Sequence, residues 1–485
     1  MLRAKCPQFM SYYTHYKEKR GKPNIMFIPL SRSTSVMMAS SYWTACFSFM
    51  LFLFISPAFG ASPTALVAPI QLDAATSLYT MKLAPPSPSG SSPLMLDLDN
   101  SNLWVDCVDP APYSSPTFKP LLCEETAACA AARSCTSNIC GPSSCYDTCS
   151  VVVPYPACNN YTCVSWASIS AIKWTMDTAV WRDTIAFPST DGRRVLSKVT
   201  IPEFAFLCTD KTLLKGGEGK LPPGVVGGAG LSRAAIALPS QISSKVPSIS
   251  RKFAYCLSSS ASRPGVIFFG DGPYVFHPDV ELSGLLRYTP LINFSKEADS
   301  YFIQVISLSV AGVPLPIDSS LLTIKRNKTS RTYMGGTRFS SSVPYTQLTP
   351  AIYSHLISEF EKAAVARGIK KTHPVSPFDL CFDASTVSLS TAGYNVPQIN
   401  MTLKGKGKSK TEIWQISAAN TLTLVNRDVY CLAFQPTDEY ESRSIIIGTY
   451  QQQEAFFQFD LAANRLGFVS SLALRRTSCS NFSFS

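Results

Sequence analysis

The stretch of sequence that most constrains the fold runs from Leu94 to Cys107 and reads LMLDLDNSNLWVDC. An apolar run leads to Asp97 in a turn rich in Asp, Asn and Ser, and a second apolar run follows before the cysteine. Apolar runs on both sides of a polar turn predict two strands joined by a loop. Because such a unit presents its turn from a rigid sheet, we expect the Asp97 carboxylate to lie in a cleft.

This stretch resembles the first active-site loop of pepsin-like aspartic proteases, in which Asp-Thr-Gly-Ser lies between similar apolar runs. Here the loop reads Asp97-Leu98-Asp99-Asn100, so the first acid is kept and the rest of the loop differs. In that family two carboxylates share one proton across a bound water, and their contact drives the two pKa values apart. A lone Asp is expected to ionise, and it could not supply the acid half of such a pair.

The resemblance also indicates where the second acid loop should lie. The family's second motif follows an apolar strand and precedes a helix, which points to residues 335–348, GGTRFSSSVPYTQL. Ser340 falls at the position of the second Asp, and the whole segment contains no carboxylate. A hydroxyl has too high a pKa to replace the missing acid. We therefore predict a degenerate site of Asp97 and Ser340, with no catalytic residues and no enzyme activity.

Residues 1–60 are interpreted as a leader with a signal peptide. They carry seven Lys or Arg and one acidic residue, residues 42–59 are apolar, and Ala58–Gly60 is a small-x-small cleavage site. These features predict a secreted protein of the apoplast or cell wall, with Met37 or Met38 as an alternative start. An uncleaved signal anchor is the other reading, but the apolar run is short for a bilayer span of about 20 residues.

The charge balance changes when the leader is removed, from 43 − 32 = +11 to 36 − 31 = +5. A mildly basic secreted protein suits an acidic extracellular matrix such as pectin-rich cell wall. No basic helix or basic-aromatic stripe appears, so nucleic acid is not an expected partner. The one basic run, Lys404 to Lys410, is predicted to be a solvated hairpin.

Cysteine usage agrees with secretion, because 16 cysteines minus Cys6 and Cys46 leave 14, enough for up to seven disulfides. Cys140, Cys145 and Cys149 could suggest a zinc site, but no histidine is near and the spacing fits no common pattern, so we predict no metal and no cofactor. Asn-x-Ser/Thr triplets predict N-glycans. The triplets begin at Asn160, Asn293, Asn327, Asn400 and Asn481.

Short β-branched and aromatic runs between Gly, Pro, Ser and Asn turns predict an all-β protein with a few short helices. The 485 − 60 = 425 residues after the leader exceed a single core. We therefore expect two lobes, residues 61–285 and 286–485. The best helix signal has Thr349 as N-cap, Pro350 at the first helical position and Gly368 as the stop.

An internal echo favours two related halves. The Asp97 loop is followed downstream by GVVGGAG at Gly224–Gly230, and the Ser340 loop by IIIG at Ile445–Gly448. In pepsin-like folds, which the chain resembles, each half pairs an acid loop with an apolar-apolar-Gly strand that crosses beneath it. The glycine cluster alone is weak evidence for a nucleotide loop, because no βαβ alternation surrounds it.

The resemblance becomes more specific in several segments: RKFAYCL at 251–257, PFDLCF at 377–382 and FDLAANRLGF at 459–468 look like plant pepsin-like proteins. Trp104–Cys107 and the tail 479–484 resemble basic 7S globulins and extracellular dermal glycoproteins, relatives of the TAXI-type xylanase inhibitors. This resemblance covers the chain from about residue 65 onward. It implies a bilobal pepsin-like fold in a secreted, disulfide-rich protein that blocks microbial endoglucanases, xyloglucanases or xylanases.

An inhibitor of such enzymes can place a cation between their two catalytic carboxylates, where Arg forms bidentate hydrogen bonds. Arg475 and Arg476 offer two guanidinium groups beside the expected disulfide at Cys479. In xylanase-inhibiting relatives a His takes the position of Arg475, which favours another glycanase as the partner. Arg367 and Lys371 are a second candidate by family position. For each arginine, an ordinary solvated surface residue is the alternative.

A flap hairpin carrying a Tyr is a further part of an active pepsin-like enzyme. The corresponding region, residues 165–187, has Trp166, Trp174 and Trp181 but no Tyr-Gly-Asp sequence. We expect these tryptophans to pack within a lobe. Two rival functions stay open, namely an active but atypical aspartic endopeptidase and a basic 7S globulin-like storage or peptide-binding protein.

Overall fold

Strands make up most of the regular structure, as the turn-punctuated apolar runs predict. The predicted leader, the sequon at Asn160 and the Cys140/Cys145/Cys149 cluster lie outside the part of the chain that can be described. The computed structural model describes residues 62–85, 87–108, 113–122, 125–132, 162–294, 299–328, 332–390, 393–407, 409–438 and 441–484.

The strands within these residues alternate with short turns along the whole chain. Those of the first part are β1 Ala65–Leu72, β2 Tyr79–Met81, β3 Leu94–Asp97, β4 Leu103–Asp106, β5 Lys119–Pro120, β6 Val164–Ile169, β7 Trp174–Thr190, β8 Val195–Thr209, β9 Gly227–Gly230, β10 Lys252–Cys256, β11 Gly265–Gly270, β12 Val275–Phe276 and β13 Val280–Glu281. Those of the second part are β14 Arg287–Ile292, β15 Phe302–Ile303, β16 Val305–Val310, β17 Val313–Pro314, β18 Lys325–Arg326, β19 Tyr333–Met334, β20 Thr337–Phe339, β21 Thr346–Leu348, β22 Lys371–Thr372, β23 Cys381–Asp383, β24 Leu389–Ser390, β25 Gly393–Tyr394, β26 Ile399–Lys404, β27 Thr411–Gln415, β28 Leu422–Asn426, β29 Val429–Leu432, β30 Phe434–Pro436, β31 Ile445–Ile447, β32 Phe456–Asp460 and β33 Arg465–Val469.

The helices are few, so the all-β fold class with a few short helices is confirmed for the described residues. They are α1 Thr126–Ala131, α2 Leu238–Lys245, α3 Pro350–Val365 and α4 Thr449–Gln452. None of them is both long and apolar enough to cross a bilayer.

Helix α3 begins where the sequence predicts, at Pro350, and its side chains at helical spacing, including Leu356 and Phe360, are buried. Gly368 follows with a φ of +80°, a conformation that glycine adopts without strain. Thr349 is the N-cap residue, as predicted, although its side chain makes no capping hydrogen bond. Its backbone carbonyl instead accepts the amide of Ile352 at 2.9 Å.

The first acid loop leaves the sheet at the end of β3, which pairs in parallel with β9 so that Asp97 lies opposite Gly230. Strand β4 crosses the same glycine-rich strand on its other side. A Cβ atom at Gly228 would lie 2.2 Å from the indole Nε1 of Trp104. Close packing of the two strands therefore accounts for the glycine cluster without a nucleotide-binding loop.

The second acid loop repeats this arrangement, because β20 pairs in parallel with β31 and Phe339 lies opposite Ile447. The two halves are joined by antiparallel pairing of β10 with β32. Across this seam the ring of Phe253 stacks on that of Phe459, with centroids 4.8 Å apart. Burial of each such ring contributes roughly 2–3 kcal/mol to stability. The internal echo thus corresponds to two similar strand pairs, while the lobe boundary at residue 285 stays a prediction.

Candidate functional site

Asp97 lies at the end of β3 and is fully buried. Its Oδ1 atom accepts the backbone amides of Asp99 at 3.0 Å and Asn100 at 3.2 Å, which fixes the carboxyl group within its own loop. Its Oδ2 atom has no hydrogen-bond partner among the described residues. The Asp97 carboxyl group is therefore held through its Oδ1 atom, while its Oδ2 atom is buried.

Ser340 follows the end of β20 and is also fully buried. Its hydroxyl donates to Oδ2 of Asp99 at 2.9 Å and lies 2.8 Å from the hydroxyl of Ser342. No hydrogen bond joins the side chains of Asp97 and Ser340 among the described contacts. The structure thus brings the two predicted positions into one polar cluster through Asp99 rather than into direct contact.

Asp99 and Arg338 are site residues that the sequence interpretation missed. The Arg338 guanidinium donates from Nη1 to Oδ2 of Asp99 at 2.9 Å, and its Nη2 lies 3.8 Å from a carboxylate oxygen of Glu441. Burial acts to lower the pKa of Arg338, but the neighbouring carboxylates of Asp99 and Glu441 outweigh it and leave that pKa raised. The second carboxylate of the site is therefore on the same loop as the first, and it is paired with a cation.

One signal in the sequence could have located Arg338. It stands two residues before Ser340 on a strand, and residues at that spacing point to the same face. A basic side chain was therefore to be expected beside the position of the missing acid. Asp99 gives a weaker signal, because an Asp in a polar turn commonly bonds only its own backbone.

The electrostatics of Asp97 differ from expectation. Burial, followed by the nearby charge of Asp99, raises the pKa of Asp97 from an ordinary 3.8 to about 8, against the opposing effect of the two backbone amides that it accepts. The expectation that a lone Asp would ionise is therefore wrong in this setting, because the fully enclosed carboxyl group is more stable with its proton at neutral pH.

Ser341 ties the two acid loops together. Its hydroxyl donates to the Leu96 carbonyl at 2.8 Å and accepts the Leu98 amide at 2.9 Å. Leu98, which takes the corresponding place in the first loop, has a buried apolar side chain and cannot return such a bond. These two hydrogen bonds between the loops are therefore made by the Ser341 side chain of the second loop and are not matched by Leu98 of the first.

The hairpin of β6 and β7 lies where a flap is expected, and its turn contains Lys173. The ammonium group of Lys173 lies 3.3 Å from a carboxylate oxygen of Asp438 and 3.6 Å from one of Glu218. Trp181 stacks on Phe118 with ring centroids 4.3 Å apart, as predicted for packing within a lobe.

Trp166, on the first strand of the same hairpin, does not follow that prediction, because 54% of its surface is exposed. Its backbone carbonyl accepts the Asn102 amide group at 2.9 Å. Trp174 is half-buried beside the first-half core. Of the three tryptophans, Trp166 is thus the one with a surface free for contact outside its own core.

The loop that carries Arg475 and Arg476 is firmly anchored. A disulfide joins Cys479 to Cys256, and the Cys479 amide donates to the Glu454 carboxylate at 2.8 Å. Both arginines are exposed, and neither guanidinium has an ion-pair partner among the described residues. The disulfide that the sequence interpretation expected beside them is confirmed.

Arg367 and Lys371, the second predicted set of partner-binding cations, make contacts unlike those of Arg475 and Arg476. Arg367 is exposed, and its guanidinium donates to the Val396 carbonyl at 2.8 Å. The Lys371 ammonium group lies 2.9 Å from both carboxylate oxygens of Glu361, so its charge is balanced internally. No described contact links this pair with Arg475 or Arg476.

All the cysteines within the described residues form disulfides. Within the described residues no cluster of His, Cys, Asp and Glu could hold a metal ion. Asn293 is exposed and Asn327, Asn400 and Asn481 are half-buried, so their glycosylation stays a prediction. The four described disulfides are Cys107–Cys208, Cys129–Cys163, Cys256–Cys479 and Cys381–Cys431.

Comparison with known proteins gives matches along most of the chain. Residues 79–271 match the family model described as xylanase inhibitor N-terminal, and residues 300–470 match xylanase inhibitor C-terminal. A protein named probable aspartic proteinase GIP2 from Nicotiana benthamiana is 36% identical over 433 residues, which cover 87% of this chain and 92% of the relative.

Two crystal structures extend this similarity to the fold. That of EDGP is 35% identical with a TM-score of 0.76, and the match covers 87% of this chain and 99% of that chain. That of conglutin gamma, a basic 7S globulin from lupine seeds, is 29% identical with a TM-score of 0.71, and covers 87% and 100%.

Proposed function

Since the chain belongs to the TAXi (xylanase inhibitor) family of pepsin-like, basic 7S globulin-related proteins, we propose that it is a secreted glycoprotein without catalytic activity that inhibits microbial cell-wall-degrading glycoside hydrolases. The partner would be a protein, an endoglucanase, xyloglucanase or xylanase, encountered in the apoplast or cell wall. The observation that carries the proposal is the state of the acid site, in which the second carboxylate among the described residues, that of Asp99, is bound to an arginine.

The loss of protease chemistry follows from the roles that two carboxylates must share. One must accept a proton from the attacking water while the other donates a proton to the substrate. Here Asp97 holds its proton at neutral pH, and the Oδ2 atom of Asp99 is occupied by Arg338 and Ser340. No free base faces Asp97 from the second loop, because Ser340 has only a hydroxyl there.

The loop of Arg475 and Arg476 supports an inhibitory role. A glycoside hydrolase places two carboxylates about 5–10 Å apart across its cleft, an arrangement that an inserted guanidinium can bridge. The exposed arginines stand next to Leu474, which is 58% exposed, on a loop fixed by the Cys256–Cys479 disulfide. A rigid loop loses little conformational entropy on binding, so its cations are well suited to this role. Arg367 is proposed as a second contact, together with Lys371.

The test uses the purified mature protein and a panel of fungal and oomycete endoglucanases, xyloglucanases and xylanases. Enzyme captured from the mixture by the immobilised protein is eluted, and its activity is measured with and without added inhibitor. The proposal requires at least one glycanase to be both captured and inhibited. Capture of a small cysteine-rich peptide with no effect on any glycanase would instead support the storage or peptide-binding function.

The loop is tested separately with Arg475→Ala/Arg476→Ala. The double variant should weaken inhibition at least about a hundredfold, since a buried charge pair contributes several kcal/mol to binding. The matched control is Lys82→Ala/Arg263→Ala, which also removes two exposed cations. Unchanged inhibition by the Arg475/Arg476 variant would exclude the loop while leaving inhibition itself in place.

A further inference from the structure

The hairpin between β26 and β27 carries a dense positive charge that the proposed inhibition does not use. Residues 404–410 read KGKGKSK, with four lysines and no acid. Lys404, Lys406 and Lys410 are exposed. The fourth lysine lies outside the described residues.

Backbone pairing places two of these lysines at the same end of the hairpin. Lys404 ends β26 and Lys410 immediately precedes β27, and the Gly405 amide donates to the Lys410 carbonyl at 2.9 Å. The register pairs Lys404 with Thr411 and places Lys410 opposite Gly405, so the two lysine side chains leave opposite faces of this end of the hairpin. Each face at this end of the hairpin therefore carries an exposed cation.

The tip of the hairpin is held against β14, where a further cation lies. The Lys406 amide donates to the Tyr288 carbonyl at 3.1 Å, and the exposed residue before Tyr288 is Arg287. The Lys406 ammonium group also bonds the Asn464 carbonyl at 3.3 Å. These contacts fix the loop in position next to β14. Together with Arg287, the described part of the hairpin presents four cations.

No carboxylate forms an ion pair with any of these four cations among the described residues. The nearest acid along the chain, Glu412, lies opposite the buried Leu403 in the β26–β27 register. Because alternate residues of a strand point to opposite faces, Glu412 is directed away from the face of Lys404; it shares a face with Lys410 but forms no ion pair with it. Some exposed cations elsewhere are balanced, as Arg193 is by Asp279.

We propose that this lysine hairpin, defined as Lys404, Lys406 and Lys410 with Arg287, binds a polyuronate, a polysaccharide with a free carboxylate on successive sugars. Lysines separated by glycine and serine leave room for a linear polymer to approach the backbone closely. Residues 404–411 contain no aromatic side chain on which a nucleic-acid base could stack, which favours a carbohydrate polyanion. The interaction would hold the protein in an acidic cell-wall matrix while its other surfaces remain free.

The experiment measures binding of the purified mature protein to immobilised, demethylesterified polygalacturonate, with fully methyl-esterified pectin as the uncharged counterpart. The test variant is Lys404→Gln/Lys406→Gln/Lys410→Gln. The matched control is Lys119→Gln/Arg193→Gln/Arg194→Gln, which removes three cations that pair with carboxylates. Both variants therefore lower the net charge by the same amount.

The wild type should bind polygalacturonate but not the methyl ester. The hairpin variant should lose at least about tenfold in affinity at low salt and show a weaker dependence on salt, since it releases fewer counterions. The control should stay within about twofold of the wild type at the same ionic strength.

Equal losses in both variants would mean that net charge alone is responsible, and would overturn the proposal. Equal binding to the methyl ester, or full affinity in the hairpin variant, would also overturn it. The thermal unfolding midpoint of each variant establishes that it is folded. Glycanase inhibition, measured in parallel, is expected to be unchanged, so the two proposals can fail independently.

Discussion

The raised pKa of Asp97 predicts an unusual dependence of stability on pH, which Asp97→Asn should remove. In the unfolded chain this carboxyl group titrates near 3.8, whereas burial raises its pKa to about 8 in the folded protein. Between these values the folded state holds a proton that the unfolded chain has released. The contribution of Asp97 to stability is therefore fully present below about pH 4 and is lost as the pH rises towards 8.

The size of this effect follows from the one proton that the folded state binds and the unfolded state has released. Each pH unit in this window changes the free energy of unfolding by about 1.4 kcal/mol, so the contribution falls by about 2.7 kcal/mol between pH 5 and pH 7. Asp97→Asn keeps an oxygen for the amides of Asp99 and Asn100 but cannot ionise. The variant should consequently gain about 2.7 kcal/mol relative to the wild type over the same range.

The assay is urea unfolding of both proteins at pH 5, 6 and 7, because the comparison cancels the titration of every group they share. Asp318→Asn serves as a control of opposite sign. The backbone amide of Ser320, with its hydroxyl, holds the pKa of Asp318 below its ordinary value, so this variant should show no such trend above pH 5. A constant difference between wild type and Asp97→Asn would refute the reasoning and mean that the buried group is ionised.

Three further predictions concern the same cluster. Arg338→Leu should lower the free energy of unfolding by about 3–5 kcal/mol, because it leaves a buried carboxylate unpaired, and adding Asp99→Asn should restore part of the loss in urea unfolding. Ser341→Ala removes both hydrogen bonds between the acid loops and should cost about 1–3 kcal/mol in the same assay, with Ser341→Thr as the milder comparison. Ser340→Asp should not create protease activity, because Arg338 already stands beside the new acid; pepstatin-sensitive cleavage of denatured casein at acid pH by this single variant would contradict that expectation.

The sequence was most informative where structure is locally encoded. The apolar runs around Asp97 predicted its two strands, because a strand's identity depends on a few adjacent side chains. The helix beginning at Pro350 was equally clear from its start signal and periodicity. Thr349 is the N-cap as predicted, and the absence of a side-chain capping bond shows that a residue type favours a cap without determining its rotamer.

The chemistry of the site was less predictable, because it depends on residues far apart in the chain. Asp99 and Arg338 are separated by 239 positions, and they meet only because the fold brings the two acid loops into contact. The protonation of Asp97 depends on complete enclosure, which no local pattern reports. Residue identity thus located the two loops, while the charge distribution between them required the folded chain.

The seam between β10 and β32 has a consequence for biosynthesis. Strand β10 cannot acquire this partner until residues 456–460 have emerged from the ribosome, some two hundred residues later. Until then the nascent polypeptide exposes an unpaired apolar edge, the kind of surface on which chains aggregate. Truncation before β32 should therefore leave a product that exposes this edge and is retained by chaperones.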